Sequence, residues 1–136
     1  MATSPNAQLT FTKLVVDDLD AMADFYCTVF GLHPVMRERL EKGIGGEPIE
    51  QISLSQDPAL PYGPLTLLKY EGRPAPPIDE MILGFTTNDL PPLLDRVKQA
   101  GGSLCSDVRE NPAHKIRVAF ARDPEGHLCE IVEMQS

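Results

Sequence analysis

The sequence of 136 residues contains no tryptophan, and aromatic residues make up only 6% of it. This scarcity argues against a site that stacks large flat rings, because stacking needs broad aromatic surfaces. No stretch approaches the roughly 20 consecutive apolar residues that a membrane span requires. Basic residues are also few, with 12 Lys and Arg against 20 Asp and Glu. The net charge of −8 argues against nucleic acid or an anionic membrane as a partner and favours neutral or cationic ligands.

Cysteine is sparse and scattered, at Cys27, Cys105 and Cys129. This number and spacing form neither a disulfide framework nor a CxxC zinc clamp, so we expect reduced, buried thiols. The first residues, "MATSPNAQ", lack the basic and apolar segments of a secretory signal. We therefore expect a cytoplasmic protein, and the length predicts a single domain over residues 1–136.

The first half of the chain alternates strand and helix signals. Residues 8–16, "QLTFTKLVV", favour a strand, and "DLDAMADFYCTVFG" favours a helix that Asp18 or Asp20 caps and Gly31 ends. Two further strands, "HPVMRERLE" and "PIEQISLSQ", flank a glycine turn at 43–46 that is typical of a hairpin. A fourth strand, "LTLLKYEG", follows a proline-rich loop.

The second half repeats this order. The strand "EMILGFTT" precedes a helix, "NDLPPLLDRVKQAGG", capped by Asn88 or Asp89, and three strands follow: "SLCSDVRE", "KIRVAFARD" and "HLCEIVEM". One shift of the sequence pairs Asp18-Leu19 with Asp89-Leu90 and carries Phe11 to Ile82. The chain is therefore interpreted as an internal duplication.

The duplication predicts an α+β fold of two tandem β-α-β-β-β units that form a curved mixed-sheet cup. The two modules are expected at about 8–71 and 80–134. The proline-rich stretch 72–79 is interpreted as the connector between them.

The segments "VVDDLDAMADFYCTVFGL" and "DPEGHLCEIVE" make the chain resemble the vicinal-oxygen-chelate superfamily. This group includes glyoxalase I, extradiol dioxygenases, methylmalonyl-CoA epimerase and the fosfomycin and bleomycin resistance proteins. The resemblance implies that each unit supplies half of a cup around the active site, and that the chain forms a homodimer. It leaves open whether the cup forms within one chain or across the dimer.

The resemblance also places the four metal-ligand positions of the family at Phe11, Thr66, Ile82 and Glu130. A catalytic divalent site needs about three protein ligands. Only Glu130 is a good ligand, so we expect no metal and no other cofactor. The histidines form no alternative cluster in the sequence, and we interpret His33, His114 and His127 as surface or turn residues. His114 is the exception to watch, because its loop could overhang the cup.

Strand parity predicts which side chains point into the cup. They are Phe11, Lys13, Thr66, Leu68, Ile82, Gly84, Leu128, Glu130 and Val132. Gly84 either leaves room for a ligand or marks a β-bulge. His114 and Arg117 are further candidate substrate contacts, and Arg117 and Arg122 are candidates for holding an anionic group. The predicted cavity is apolar with few polar groups, as is typical of a small-molecule site.

Glu130 has two candidate roles. Burial among apolar walls would raise its pKa and make it a general acid or base. Alternatively, Lys13, Lys69 or Arg117 pairs with it and ties the cup together.

Two functions of different class follow. The first is a metal-independent lyase or isomerase in which Glu130 moves a proton on a small, largely apolar metabolite. The second is a non-catalytic protein that sequesters such a molecule, as the bleomycin resistance proteins do. A metal-dependent glyoxalase or dioxygenase ranks last, because too few ligands remain.

Overall fold

The computed structural model describes residues 11–43, 46–77 and 81–134. Three predicted features therefore lie partly outside the described residues. They are the start of the first strand, the glycine turn at 43–46 and the end of the connector at 72–79.

The described chain forms nine strands and two helices, in an order that repeats once. The first half contains β1 (Thr12–Val15), α1 (Leu19–Phe30), β2 (His33–Leu40), β3 (Ile49–Ser55) and β4 (Leu65–Tyr70). The second half contains β5 (Ile82–Thr87), α2 (Leu90–Gln99), β6 (Ser103–Leu104), β7 (Arg109–Asn111), β8 (Ile116–Arg122) and β9 (Leu128–Met134). The predicted strand "SLCSDVRE" is split into β6 and β7. Cys105 lies at this break and is exposed, so the prediction that all three thiols are buried is wrong for Cys105.

The two sheets have the same topology, which confirms the predicted α+β fold of two β-α-β-β-β units. The first has the order β1-β4-β3-β2, and the second has the order β5-β9-β8-β6, with β7 paired to β8. In each sheet the first strand runs parallel to the last, and the other pairs are antiparallel. The registers also match, because Lys13 lies opposite Thr66 and Gly84 lies opposite Glu130.

Both helices begin with a predicted aspartate, but their caps differ. The Asp18 side chain accepts a hydrogen bond from the Ala21 amide at 3.0 Å, and Gly31 ends α1 in a left-handed conformation. Asp89 precedes α2 without a side-chain cap. The buried carboxylate of Glu133 accepts the Leu90 amide hydrogen bond at 2.7 Å instead. A distant strand residue therefore replaces the local cap that the sequence predicts for α2.

One hydrophobic core joins the two halves. Both helices pack on one face of the sheets, where the inward residues of β4, β8 and β9 meet them: Leu65, Leu67, Ala119, Ala121, Cys129 and Ile131. The rings of Phe30 and Phe85 stack across the halves, with centroids 3.7 Å apart and planes at 7°. Among the described residues neither helix is long and apolar enough to cross a membrane. The opposite sheet faces, here called the cup faces, are left for a site.

Candidate functional site

Glu130 lies in the middle of β9 on the cup face of the second sheet. Its neighbours across the strands are Gly84 on β5 and Phe120 on β8. The residue is half-buried, and within the described part of the chain its carboxylate forms no hydrogen bond or ion pair. The sequence predicts that Glu130 points into the cup, and its position agrees with this, since Cys129 and Ile131 on either side of it are in the core.

The three basic residues proposed as partners of Glu130 make other contacts. The Lys13 ammonium donates to Gln51 Oε1 at 2.9 Å, and that of Lys69 donates to the Asp17 carbonyl at 2.7 Å. Arg117 Nε donates to Glu133 Oε1 at 2.7 Å. The alternative in which one of these cations ties down Glu130 is therefore wrong. Its carboxylate remains open to a ligand.

Open space lies beside Glu130, above Gly84. A Cβ built on Gly84 would meet no atom within 4 Å. The pairing of β5 with β9 runs from Ile82 to Thr87 without a register shift, so the β-bulge interpretation of Gly84 is wrong. The absent side chain instead leaves room next to the carboxylate.

A cavity of about 390 Å³, here called the central cavity, lies between the two halves. Its walls include Ile82 and Gly84 from β5 and residues of the first half. They are mainly apolar, among them Leu32, Leu65, Met81, Leu83 and Phe85. This volume lies at the lower end of the range for small-molecule sites. Glu130 lies outside the cavity wall, directly across the strand pair from Gly84.

A second cavity of about 170 Å³, here called the first-half cavity, lies on the cup face of the first sheet. Its lining brings together three predicted site residues and three that were not predicted: Phe11, Lys13 and Thr66, with Met36, Gln51 and Tyr62. Phe11 precedes β1 and is 49% exposed, so it is a rim residue rather than a strand residue. Alternation within β2 and β3 could have indicated Met36 and Gln51, but only with the strand register known.

The loop between β3 and β4 covers this cavity. Ser53 Oγ, which is buried, accepts a hydrogen bond from the Gly63 amide at 2.7 Å. A Cβ on Gly63 would lie 1.7 Å from the Leu54 carbonyl oxygen, so only glycine fits there. Tyr62, which immediately precedes Gly63, packs edge to face on Phe11, with ring centroids 6.4 Å apart. The loop thereby holds an aromatic wall over the cup face.

The remaining predicted contacts are dispersed. Leu68 is buried and pairs with Gln51, whereas Leu128 is half-buried and pairs with Ile82. Arg117 lies on the helix face of the second sheet, because its partner Glu133 also contacts the start of α2. His114 is exposed in the turn between β7 and β8 and lines neither cavity. The structure therefore gives Arg117 and His114 no contact with either cavity.

Sequence reasoning missed a buried polar cluster between the halves. Asp123 Oδ2 accepts a hydrogen bond from the Tyr26 hydroxyl at 2.8 Å and lies 2.8 Å from His127 Nδ1. The Tyr26 hydroxyl also lies 3.8 Å from Cys129 Sγ. Of the two predicted settings for His127, surface or turn, the turn is correct, but the side chain is only 7% exposed and therefore does not lie on the surface. The signal in the sequence was "DPEGH", a tight turn that returns the histidine to its aspartate.

The cluster shifts the titration of all its members. The hydrogen bond to Asp123 raises the pKa of His127 above its ordinary value, and burial only partly offsets this. Burial acts to raise the pKa of Asp123, but the hydrogen bonds from His127 and Tyr26 outweigh it and hold the pKa low. Burial raises the pKa of the Cys129 thiol to about 11 and that of Tyr26 well above its usual range. Tyr26 and Cys129 therefore stay neutral, and Asp123 stays ionised.

The sequence profile of the Glyoxalase/Bleomycin resistance protein/Dioxygenase superfamily matches residues 8–131. The chain belongs to this superfamily. No curated protein matches the chain.

Solved structures of the glyoxalase superfamily share the fold. A glyoxalase family protein from Bacillus cereus is 19% identical with a TM-score of 0.81, and the match covers 100% of this chain and 99% of that one. A glyoxalase-related enzyme from Fulvimarina pelagi is 25% identical with a TM-score of 0.64, covering 93% and 87%. A mutant of glyoxalase I from Zea mays is 20% identical with a TM-score of 0.74, covering 91% and 44%. This chain thus spans less than half the length of the maize enzyme.

The four positions that the resemblance assigns to metal ligands do not fit a divalent ion. Phe11 and Ile82 carry no lone pair, and they are 49% and 52% exposed. The Thr66 hydroxyl is a weak neutral donor, which leaves Glu130 as the one good ligand of the four. Among the described residues no group of three His, Cys, Asp or Glu side chains is arranged to hold a metal ion. One carboxylate does not provide the three ligands that a catalytic metal needs.

Proposed function

We propose that the protein is a metal-independent member of the glyoxalase superfamily that takes a small, largely apolar molecule into the cup. Glu130 contacts this molecule and moves a proton on it, in lyase or isomerase chemistry. The observation that carries the proposal is the open space above Gly84, directly beside a carboxylate that has no partner among the described residues. A half-buried carboxylate without a protein partner is suited to proton transfer with a ligand.

The central cavity supplies the apolar part of the proposed site. Gly84 lines it and lies opposite Glu130, so a ligand would have to extend from the cavity past Gly84 to contact the carboxylate on the next strand. Ile82 and Met81 offer apolar contact but no charge. Glu130 therefore supplies the chemistry of the site, and the cavity supplies the binding surface.

A sequestering role is the second candidate, and one observation favours it. The residues directly across the strands from Glu130 are Gly84 and Phe120, neither of which titrates. A lyase or isomerase that needs a second acid or base would have to take it from the ligand or from elsewhere in the cup. Binding without turnover needs no such group.

Metal independence predicts that chelation has no effect. Inductively coupled plasma mass spectrometry of the purified protein should find much less than one transition-metal ion per chain. Dialysis against EDTA should leave the melting temperature unchanged, because one carboxylate cannot retain the ion against water. One tightly bound nickel, zinc or iron per chain, lost in Glu130→Ala, would overturn the ligand assignment.

We also propose that the chain forms a homodimer. Ile82 is 52% exposed on the cup face of the second sheet, and a second copy could cover this apolar surface. Light scattering should give about 30 kDa, twice the 14.9 kDa of one chain. Ile82→Glu should shift the mass toward the monomer, whereas Leu60→Glu, at an apolar loop residue that is 46% exposed, serves as the matched control. A monomer mass for the unmodified protein at micromolar concentration would contradict the proposal.

A further inference from the structure

The first-half cavity carries an inference that does not depend on Glu130, which lies outside it. We propose that this cavity binds a small organic carboxylate whose apolar body is a single ring. The carboxylate would contact Lys13 and Thr66, and the ring would lie between Phe11, Met36 and Tyr62. Nothing about the proton chemistry proposed above is needed for this site to work.

The Lys13 ammonium lies at the mouth of the cavity. It donates one hydrogen bond, at 2.9 Å, to the amide oxygen of Gln51, and Gln51 Nε2 donates in turn to Glu38 Oε2 at 3.2 Å. Gln51 is only 6% exposed, so it is a rigid acceptor that fixes the Lys13 side chain. An ammonium has three N–H donors, and within the described chain Lys13 contacts no carboxylate. The remaining donors are available to an anion.

Thr66 adds a hydroxyl to the lining of the same cavity. Thr66 is 5% exposed and lines the cavity, and its hydroxyl forms no hydrogen bond with any described residue. Thr66 lies directly opposite Lys13 in the pairing of β1 with β4, so both side chains lie on the same sheet face and line the same cavity. A carboxylate accepts two such hydrogen bonds, one at each oxygen, whereas a cation is repelled by Lys13. The expectation of neutral or cationic ligands, which rests on the net charge of the whole chain, therefore does not apply to this cavity.

The size of the cavity fits a single ring. The cavity measures about 170 Å³, close to the roughly 150 Å³ of an apolar cavity that holds one benzene molecule. The Ser53–Gly63 hydrogen bond keeps Tyr62 in place, and Tyr62 packs on Phe11. The walls are therefore set before a ligand arrives, and one ring with a short polar group fills the space.

Benzoate and its neutral isostere benzamide test the proposal on the unmodified protein in the presence of EDTA. Calorimetric titration should show that benzoate binds about tenfold or more tightly, because hydrogen bonds to a charged group are stronger than those to a neutral one. The location can be read from ¹³C-methyl methionine spectra, since Met36 lines the first-half cavity and Met81 lines the central cavity. Benzoate should shift the Met36 signal and leave that of Met81 in place.

Lys13→Met keeps the length of the side chain and removes its charge. It should weaken benzoate binding about ten- to hundredfold and abolish the preference over benzamide. Lys42→Met, at an exposed lysine outside the cavity, is the matched control and should keep the affinity for benzoate and the preference over benzamide. Equal affinity for the two probes, no shift at Met36, a shift at Met81 instead, or equal losses in the two lysine variants would each overturn the proposal. The comparison of probes on the unmodified protein holds even if Lys13→Met fails to fold.

Discussion

Replacing Asp123 by alanine is expected to lower the free energy of unfolding by about 3–5 kcal/mol, as is typical when one partner of a buried charged pair is removed. Asp123 is 3% exposed and accepts hydrogen bonds from Tyr26, from the His127 ring and from the amides of Glu125 and His127. The variant leaves the Tyr26 hydroxyl and the imidazole buried without their acceptor. Because Tyr26 belongs to α1 and Asp123 to the β8–β9 turn, the loss loosens the contact between the two halves.

The same pair makes stability depend on pH. The pKa of His127 is raised above its ordinary value of 6.5, so its contribution is complete below 6.5 and is lost as the pH rises through the higher folded value. The pKa of Asp123 is lowered below 3.8, so its contribution is complete above 3.8 and is lost as the pH falls through the lower folded value. The contribution of the pair is therefore greatest between these values, and stability should decline from near pH 6.5 upward.

Urea denaturation of the unmodified protein, Asp123→Ala and Asp107→Ala across this pH range measures both effects. Asp107 is an exposed aspartate and serves as the matched control. Asp107→Ala should retain the pH dependence and most of the free energy of unfolding. Asp123→Ala should have a lower free energy of unfolding and should lose the pH dependence that the pair causes. Equal stability of the two variants would show that the cluster contributes nothing.

The fold could be predicted from the sequence because strand alternation is a local pattern and the second half of the chain repeats the order of the first. The shift that carries Phe11 to Ile82 also carries Lys13 to Gly84, and the structure pairs these two residues with Thr66 and Glu130 on the neighbouring parallel strands. Parity alone was therefore enough to place Glu130 on the cup face. Local pattern fixes the face on which a side chain lies, whatever its distant neighbours are.

The contacts between distant side chains could not be predicted in this way. The sequence suggested Arg117 as a partner of Glu130, but in the structure Arg117 lies on the opposite face and donates to Glu133, which also accepts from the Leu90 amide at the start of α2. Only the strand register identifies that partner. The first-half cavity depends on a loop whose position follows from one serine and one glycine, Ser53 and Gly63. No periodicity of the sequence determines where such a loop folds.

The role of Glu130 predicts a loss of function without a loss of stability. Glu130→Gln keeps the shape of the side chain and removes its proton chemistry. Because the carboxylate has no partner in the described chain, the free energy of unfolding should change by less than about 0.5 kcal/mol. Any turnover that depends on the carboxylate should fall by about 10²- to 10⁴-fold, the usual contribution of general acid–base catalysis.

Two further variants define the site. Gly84→Leu should fill the open space beside the carboxylate and block the ligand, since a Cβ there meets no atom within 4 Å. Glu110→Gln, at an exposed strand glutamate of β7, is the matched control for the loss of one charge and should change neither activity nor stability.

Exchange of α-protons in D₂O tests the central claim most directly. Proton NMR can follow a panel of small ketones and 2-oxo acids with the unmodified protein and with Glu130→Gln, both in EDTA, alongside their melting temperatures. We predict that the unmodified protein accelerates exchange of at least one member of the panel, and that Glu130→Gln loses this acceleration with its melting temperature unchanged. Equal exchange by both proteins, together with a lower melting temperature for Glu130→Gln, would contradict it and would make Glu130 a structural residue.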